Sequence, residues 1–130
     1  MAVNKTSLSA GIIIRAVLLA DTEVKSRTNK IFPVIADNAE LPYIVYRRAE
    51  MEVSPVKVGN KGADTLQIEV LCYAASYGDG VELAEAVRGA LELKSASHEG
   101  LEMRGCYLSG GEEGFENDAF FQQLIFNVKI

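Results

Sequence analysis

The sequence predicts an α+β domain: a twisted, mainly antiparallel sheet in the element order helix, three strands, helix, two strands, with both helices packed on one face. Three observations carry that prediction. Apolar residues recur at helical spacing in two separated stretches, one near the start of the chain and one past its middle. Between and after them, apolar and polar residues alternate with the period of two expected of half-buried strands. No repeat, low-complexity run or linker interrupts the 130 residues, so 1–130 reads as one domain.

The first helix is expected from about Ser7 to Asp21, capped by Thr6 or Ser7. Leu8, Ile12, Ala16 and Leu19 form its stripe, and Ile13, Val17 and Ala20 widen it. "KIFPVIA" reads as a short strand that Pro33 assigns to an edge or a bend, because proline has no N–H for the ladder. In the next strand, which opens on "LPYIVYRR", Tyr43, Val45, Ala49, Met51 and Val53 are expected on one face. Tyr46, Arg48, Glu50 and Glu52 are expected opposite. "SPVKVGNKGAD" breaks the alternation with proline and glycines and reads as a loop. "TLQIEVLCYA" is a strand with Leu66, Ile68, Val70 and Cys72 on one face.

"SYGDGVELAEAVRGALEL" is the second helix, for which Asp79 with Glu82 three residues on predicts a reciprocal cap. "KSASHEG" then turns the chain. Two strands follow, "LEMRGCYLSG" and "AFFQQLIFNVKI", joined by the acidic, glycine-rich loop "GEEGFEND". In the last strand Phe120, Gln122, Leu124, Phe126, Val128 and Ile130 share one face, and Phe121, Gln123, Ile125, Asn127 and Lys129 share the other.

Composition narrows the function. With 13 basic against 18 acidic residues the formal charge is −5, which disfavours a surface built to neutralise phosphates, whether of nucleic acid or of a membrane. The stretch "SLSAGIIIRAVLLAD" is too short and too interrupted by Arg15 to span a bilayer, and no small-residue cleavage pattern follows it. Cys72 and Cys106 sit in expected strands at no metal-ligand spacing and read as reduced core thiols.

Residues for catalysis are sparse. The single histidine, His98, lies in a polar turn without acid or thiol at ligand spacing, and no nucleophile elbow is present. "VGNKGAD" lacks the spacing of a phosphate-binding loop and leads into a strand instead of a helix. Glu112, Glu113, Glu116 and Asp118 do not follow the ligand order of a calcium loop and suit an electrostatic contact better. No catalytic residue, metal or cofactor is therefore expected. The strands instead carry apolar and aromatic residues on both faces, among them Tyr43, Tyr46, Leu71, Tyr73, Phe120, Phe121 and Ile125, more than two helices can cover. That excess points to self-association.

"KIFPVIADNAELPYIVYRR" and "LQIEVLCYAASYGDGVELAEAVRGALE", followed by a last strand after an acidic loop, resemble the tail-completion or tail-terminator proteins of tailed phages and prophages. The resemblance runs over nearly the whole chain. It implies a structural role without catalysis: a homo-oligomeric ring, sixfold if it matches tail symmetry, that caps the tail tube, stops its polymerisation and joins it to the head side. The implied partners are other copies of this chain, the tail tube protein and the head–tail connector protein. The implied location is the virion tail, after assembly in the bacterial host cytoplasm.

The resemblance also implies that Tyr43 and Val45 pack beneath the helices while Tyr46 and Arg48 lie on the other face, available to a neighbour, but it transfers no contact residues. Exposure and opposite charge instead point to the loops Lys57 to Lys61 and Gly110 to Asp118 as surfaces facing the tube or a neighbour. The expected assembly residues are Tyr46, Arg48, Lys57, Asn60, Lys61, Glu112, Glu113 and Phe115. A second reading is a small α+β domain that dimerises through its sheet and holds a ligand.

Overall fold

The computed structural model describes residue 3 and residues 5–54 and 64–130. It is an α+β fold. A five-stranded sheet runs in the order β1 (Ile31–Pro33), β2 (Tyr43–Glu52), β3 (Thr65–Ala74), β7 (Ala119–Lys129), β6 (Gly105–Glu116). Only β1 and β2 run parallel. Pro33 ends the edge strand β1, as its missing N–H requires.

The first helix is not continuous. A 3-10 turn (Ser7–Ser9), with Thr6 Oγ1 accepting from the Leu8 amide, leads into α1 (Ala10–Ala20). Asp21 then leaves the helical region, and its side chain caps the short α2 (Thr22–Lys25) by accepting from Val24 N at 3.0 Å. The buried stripe is Ala10, Ile13, Ile14 and Leu18. It is rotated from the expected one because Leu8 lies in the 3-10 turn, out of phase with α1, and is exposed. In α3 (Tyr77–Leu91) the cap is Ser76, whose Oγ accepts from the Asp79 amide, so the helix starts a little before the expected Asp79 cap.

Both α1 and α3 cover one face of the sheet. Beneath them lie Ile44 and Tyr46 of β2, Leu66, Ile68, Val70 and Cys72 of β3, and Leu124, Phe126 and Val128 of β7. The faces expected for β2 are therefore corrected: Tyr46 is on the helix side, 8% exposed, and Tyr43 and Val45 are on the open side. The cause is Gly11 on α1, where a Cβ would come within 2.9 Å of the Tyr46 ring, so the missing side chain makes the ring's seat. A bulge between Arg48 and Glu50 then shifts the phase, returning Met51 to the helix side opposite Leu66.

Two further differences concern the C-terminal half. "KSASHEG" and the residues after it form a separate hairpin of β4 (Ala96–His98) and β5 (Leu101–Met103), turning at Glu99 and Gly100, both at positive φ. The expected acidic loop is strand: β6 runs on to Glu116 and the turn is only Asn117 and Asp118, at φ 51° and 61°. Two central residues at positive φ are what a tight hairpin with the native twist demands, and Asn-Asp tolerates them.

Gly111 in β6 explains why this strand is glycine-rich. A Cβ there would fall on the Gln123 carbonyl oxygen of β7, whereas Gly110 beside it faces open space. Gly111→Ala is expected to lower the unfolding free energy by about 1–3 kcal/mol, the usual cost of overpacking. Gly110→Ala should be nearly neutral. Urea denaturation of the two variants checks the contrast, and equal effects would show that the approach is not tight.

Candidate assembly surfaces

The open face of the sheet is built by the residues that alternate with the core. Phe32 of β1, Tyr43 of β2, Tyr73 of β3 and Phe121 of β7 form an aromatic ladder across four strands. Tyr43 and Tyr73 stack at 4.9 Å, and their outer neighbours stand 6.3 and 6.1 Å away. Leu71 and Ile125, both half-buried, extend the apolar surface, and Val45 beside Leu71 is buried. Arg47 and Gln123 converge on Glu69, with Arg47 Nη2 at 2.9 Å and Gln123 Nε2 at 3.1 Å from its two carboxylate oxygens. Burial pushes the Tyr73 phenol up, with Glu116 and Tyr43 adding to the shift, so it stays a neutral donor at physiological pH.

A second surface lies where the tip of the β6–β7 hairpin meets the start of α3. Phe115 packs edge-on against Phe120 at 4.9 Å, and Tyr77 stands edge-on to Phe120 at 6.3 Å. Phe115 is 58% exposed. Glu113 Oε1 accepts from Tyr77 Oη at 2.9 Å and from Gln122 Nε2 at 2.8 Å, tying the edge strand to the helix and to β7. These bonds hold the Glu113 carboxyl below the usual carboxylate range, Gln122 contributing most, and the bond to Glu113 raises the Tyr77 phenol.

Of the expected assembly residues, Glu113 and Phe115 are brought together here, and Glu112 is next to them on β6. Tyr46 is in the core, and Arg48, exposed on the helix side, donates to the Leu8 carbonyl at 3.3 Å. Lys57, Asn60 and Lys61 lie outside the described residues. Tyr77 was not anticipated, because only the fold shows that the first turn of α3 abuts the hairpin tip. Phe32 was missed for a similar reason, its strand being too short to show alternation.

The remaining candidates offer no converging chemistry. His98 is exposed and neighbours Glu99 at 3.7 Å. Cys72 and Cys106 are free and buried. Burial pushes both thiols up, Cys106 to about 12 with help from Glu92, so neither is a thiolate nucleophile. Among the described residues no group of three or more His, Cys, Asp or Glu side chains could hold a metal ion, and no helix is long and apolar enough to cross a membrane.

The described residues thus present two aromatic surfaces. The sequence profile of the family described as "Tail completion protein gp17" matches residues 13–130. The chain belongs to that family. The tail completion family is one of structural phage tail proteins, not of enzymes, which gives the chain a structural role in a phage tail. Among solved structures, a chain of the "Virion of native gene transfer agent (GTA) particle" superposes with a TM-score of 0.70 at 12% identity, covering 89% of this chain and 90% of that one. At that identity the likeness is one of fold. No curated protein matches the tail completion chain by sequence.

The Glu113 bonds generate a prediction with a definite sign. Because the folded carboxyl is lowered from 4.5, its stabilising effect is complete above that value and is lost as pH falls through the lower folded value. Tyr77→Phe removes one donor, so the Glu113 side-chain titration followed by NMR should move up towards the ordinary range. An unchanged titration would show that the Tyr77 bond does not form in solution.

Proposed function

We propose that this tail completion protein closes into a homo-oligomeric ring, sixfold to match the tail, that caps the tail tube and stops its polymerisation. The ring also joins the tube to the head–tail connector. Copies assemble in the host cytoplasm and end in the virion tail. The observation that carries this reading is the open face: an aromatic ladder with Leu71, Ile125 and an arginine–carboxylate cluster, whose apolar side chains are half-buried with no helix of the described residues over them. Protein interfaces are enriched in aromatic residues and arginine, and the part of this face around Tyr43 and Tyr73 carries both, with Lys129 at the far end of β7. Family membership supports the tail location.

Light scattering over a wide concentration range, followed by negative-stain imaging, tests the ring. The expected result is one discrete ring species that shortens tubes when added to polymerising tube protein. A strict monomer that leaves tube length unchanged overturns the proposal. A discrete dimer whose melting temperature rises with a small molecule favours the ligand-binding domain instead.

A further inference from the structure

The two edges of the sheet differ in charge at matching positions along the strands. Residue pairing traces rows across all five strands: Ile31, Ile44, Cys72, Gln122 and Glu113 form one, and Phe32, Val45, Leu71, Gln123 and Glu112 form the next. The β1 end of these rows is basic. Arg15 of α1 donates from Nε to the Ile31 carbonyl at 3.4 Å, and Lys30 directly precedes the strand. The β6 end is acidic, with Glu112 and Glu113 on the rows and Glu116 further towards the turn. Among the described residues Arg15 meets no carboxylate and these three glutamates meet no cation.

Both edges also expose apolar groups. Val34 and Ile35, just past β1, are 69% and 73% exposed, and Phe115 and Tyr107 are exposed on β6. Val34 has φ 67°, an unfavourable conformation for a β-branched residue. It is held in a tight turn by its own amide bond to the Tyr46 carbonyl at 2.8 Å and by the Ile35 amide bond to the Pro33 carbonyl at 2.7 Å. A strained residue held in this way, with two apolar side chains displayed at an edge, is of the kind that clusters at functional sites.

We infer that the ring closes by the β1 edge of one copy meeting the β6 edge of the next, with Arg15 and Lys30 facing Glu112 and Glu113. This rests on the ring reading above and specifies its contact. Charged edges also deter unwanted strand pairing, but two edges of one sign would serve that purpose. Opposite signs at the same rows make the edges attract each other. Rotation about an axis along the strands keeps height along that axis, so it sets the basic end of a row beside the acidic end of the same row in the neighbour. Such a head-to-tail contact uses two different patches and generates rings when the rotation closes. Pro33 has no N–H to continue the ladder, so side chains make the contact: exposed ion pairs for orientation, Val34, Ile35 and Phe115 for buried area.

The test uses the full chain at low salt, with native mass as the readout. Arg15→Glu cancels the charge of the basic edge, since Lys30 remains, and Glu112→Lys moves the acidic edge towards the basic sign, so each variant alone should need at least about tenfold more protein to assemble. Mixed in equal amounts, the two should restore a ring of alternating subunits, which also shows that both are folded. Ile35→Ser should weaken the ring even at high salt, where the charges are screened. If the wild type forms a ring and both charge variants do so equally well, the edge contact is wrong and the ring stands. If the mixture stops at a heterodimer, the contact joins like edges and the inference fails. A wild-type chain that forms no ring removes the ring reading itself, and the contact with it.

Discussion

The pairing of β3 with β7 is the constraint from which the rest of the structure follows. These strands lie side by side over an unbroken register from Thr65 against Lys129 to Ala74 against Phe120. They bring together segments about fifty residues apart in sequence, so the chain-ordering cost must be offset by burial. Leu66, Ile68, Val70 and Cys72 meet Val128, Phe126, Leu124 and Gln122 on the face that α1 and α3 cover. Because β3 and β7 take the centre, β2 and β1 can add only on one side and β6 only on the other. The positions of both edges are consequences of this pair.

The sequence was most legible where burial and alternation agree. In β3, and in β7 from Leu124 to Val128, every second residue is core, and the two faces read correctly from the pattern alone. In β2 the pattern misled: tyrosine suits either face, the bulge at Arg48 and Glu50 changes the phase, and the seat of Tyr46 depends on Gly11 in a distant helix. Beyond Gly110 the sequence of β6 reads as loop because its composition is glycine and acid. The glycine at 111 is required by the close approach of β7, and the glutamates are tolerated because β6 is an edge. Glu113 and Phe115 were therefore identified for their exposure and charge while their true setting, a strand tied to α3 through Tyr77, was not visible.

The open face differs from both a solvated surface and a core. A solvated sheet face would alternate lysine and glutamate, and a core would not keep Glu69. Here Glu69 is held by Arg47 and Gln123, which leaves a hydrogen-bonded cluster beside the aromatic ladder. A carboxylate satisfied in this way can be covered by a neighbouring molecule without stranding a charge, because its partners are covered with it. The face is thus suited to a partner in the folded state without a change in its own side-chain pairing.

A structural protein that ends a polymer needs unlike surfaces, since a block with equivalent ends would extend what it is meant to stop. This chain has them in three directions. The edges differ in sign, the faces differ in that one is covered by helices and the other is not, and the strand ends differ as well. One end carries the Asn117–Asp118 turn and the start of α3, and the other carries Gly105, Lys129, the end of β2 and the start of β3. In a ring closed through the edges, the two strand ends become two chemically different rims. Each rim could then accept one kind of neighbour and refuse another copy of the ring, which is the physical content of termination.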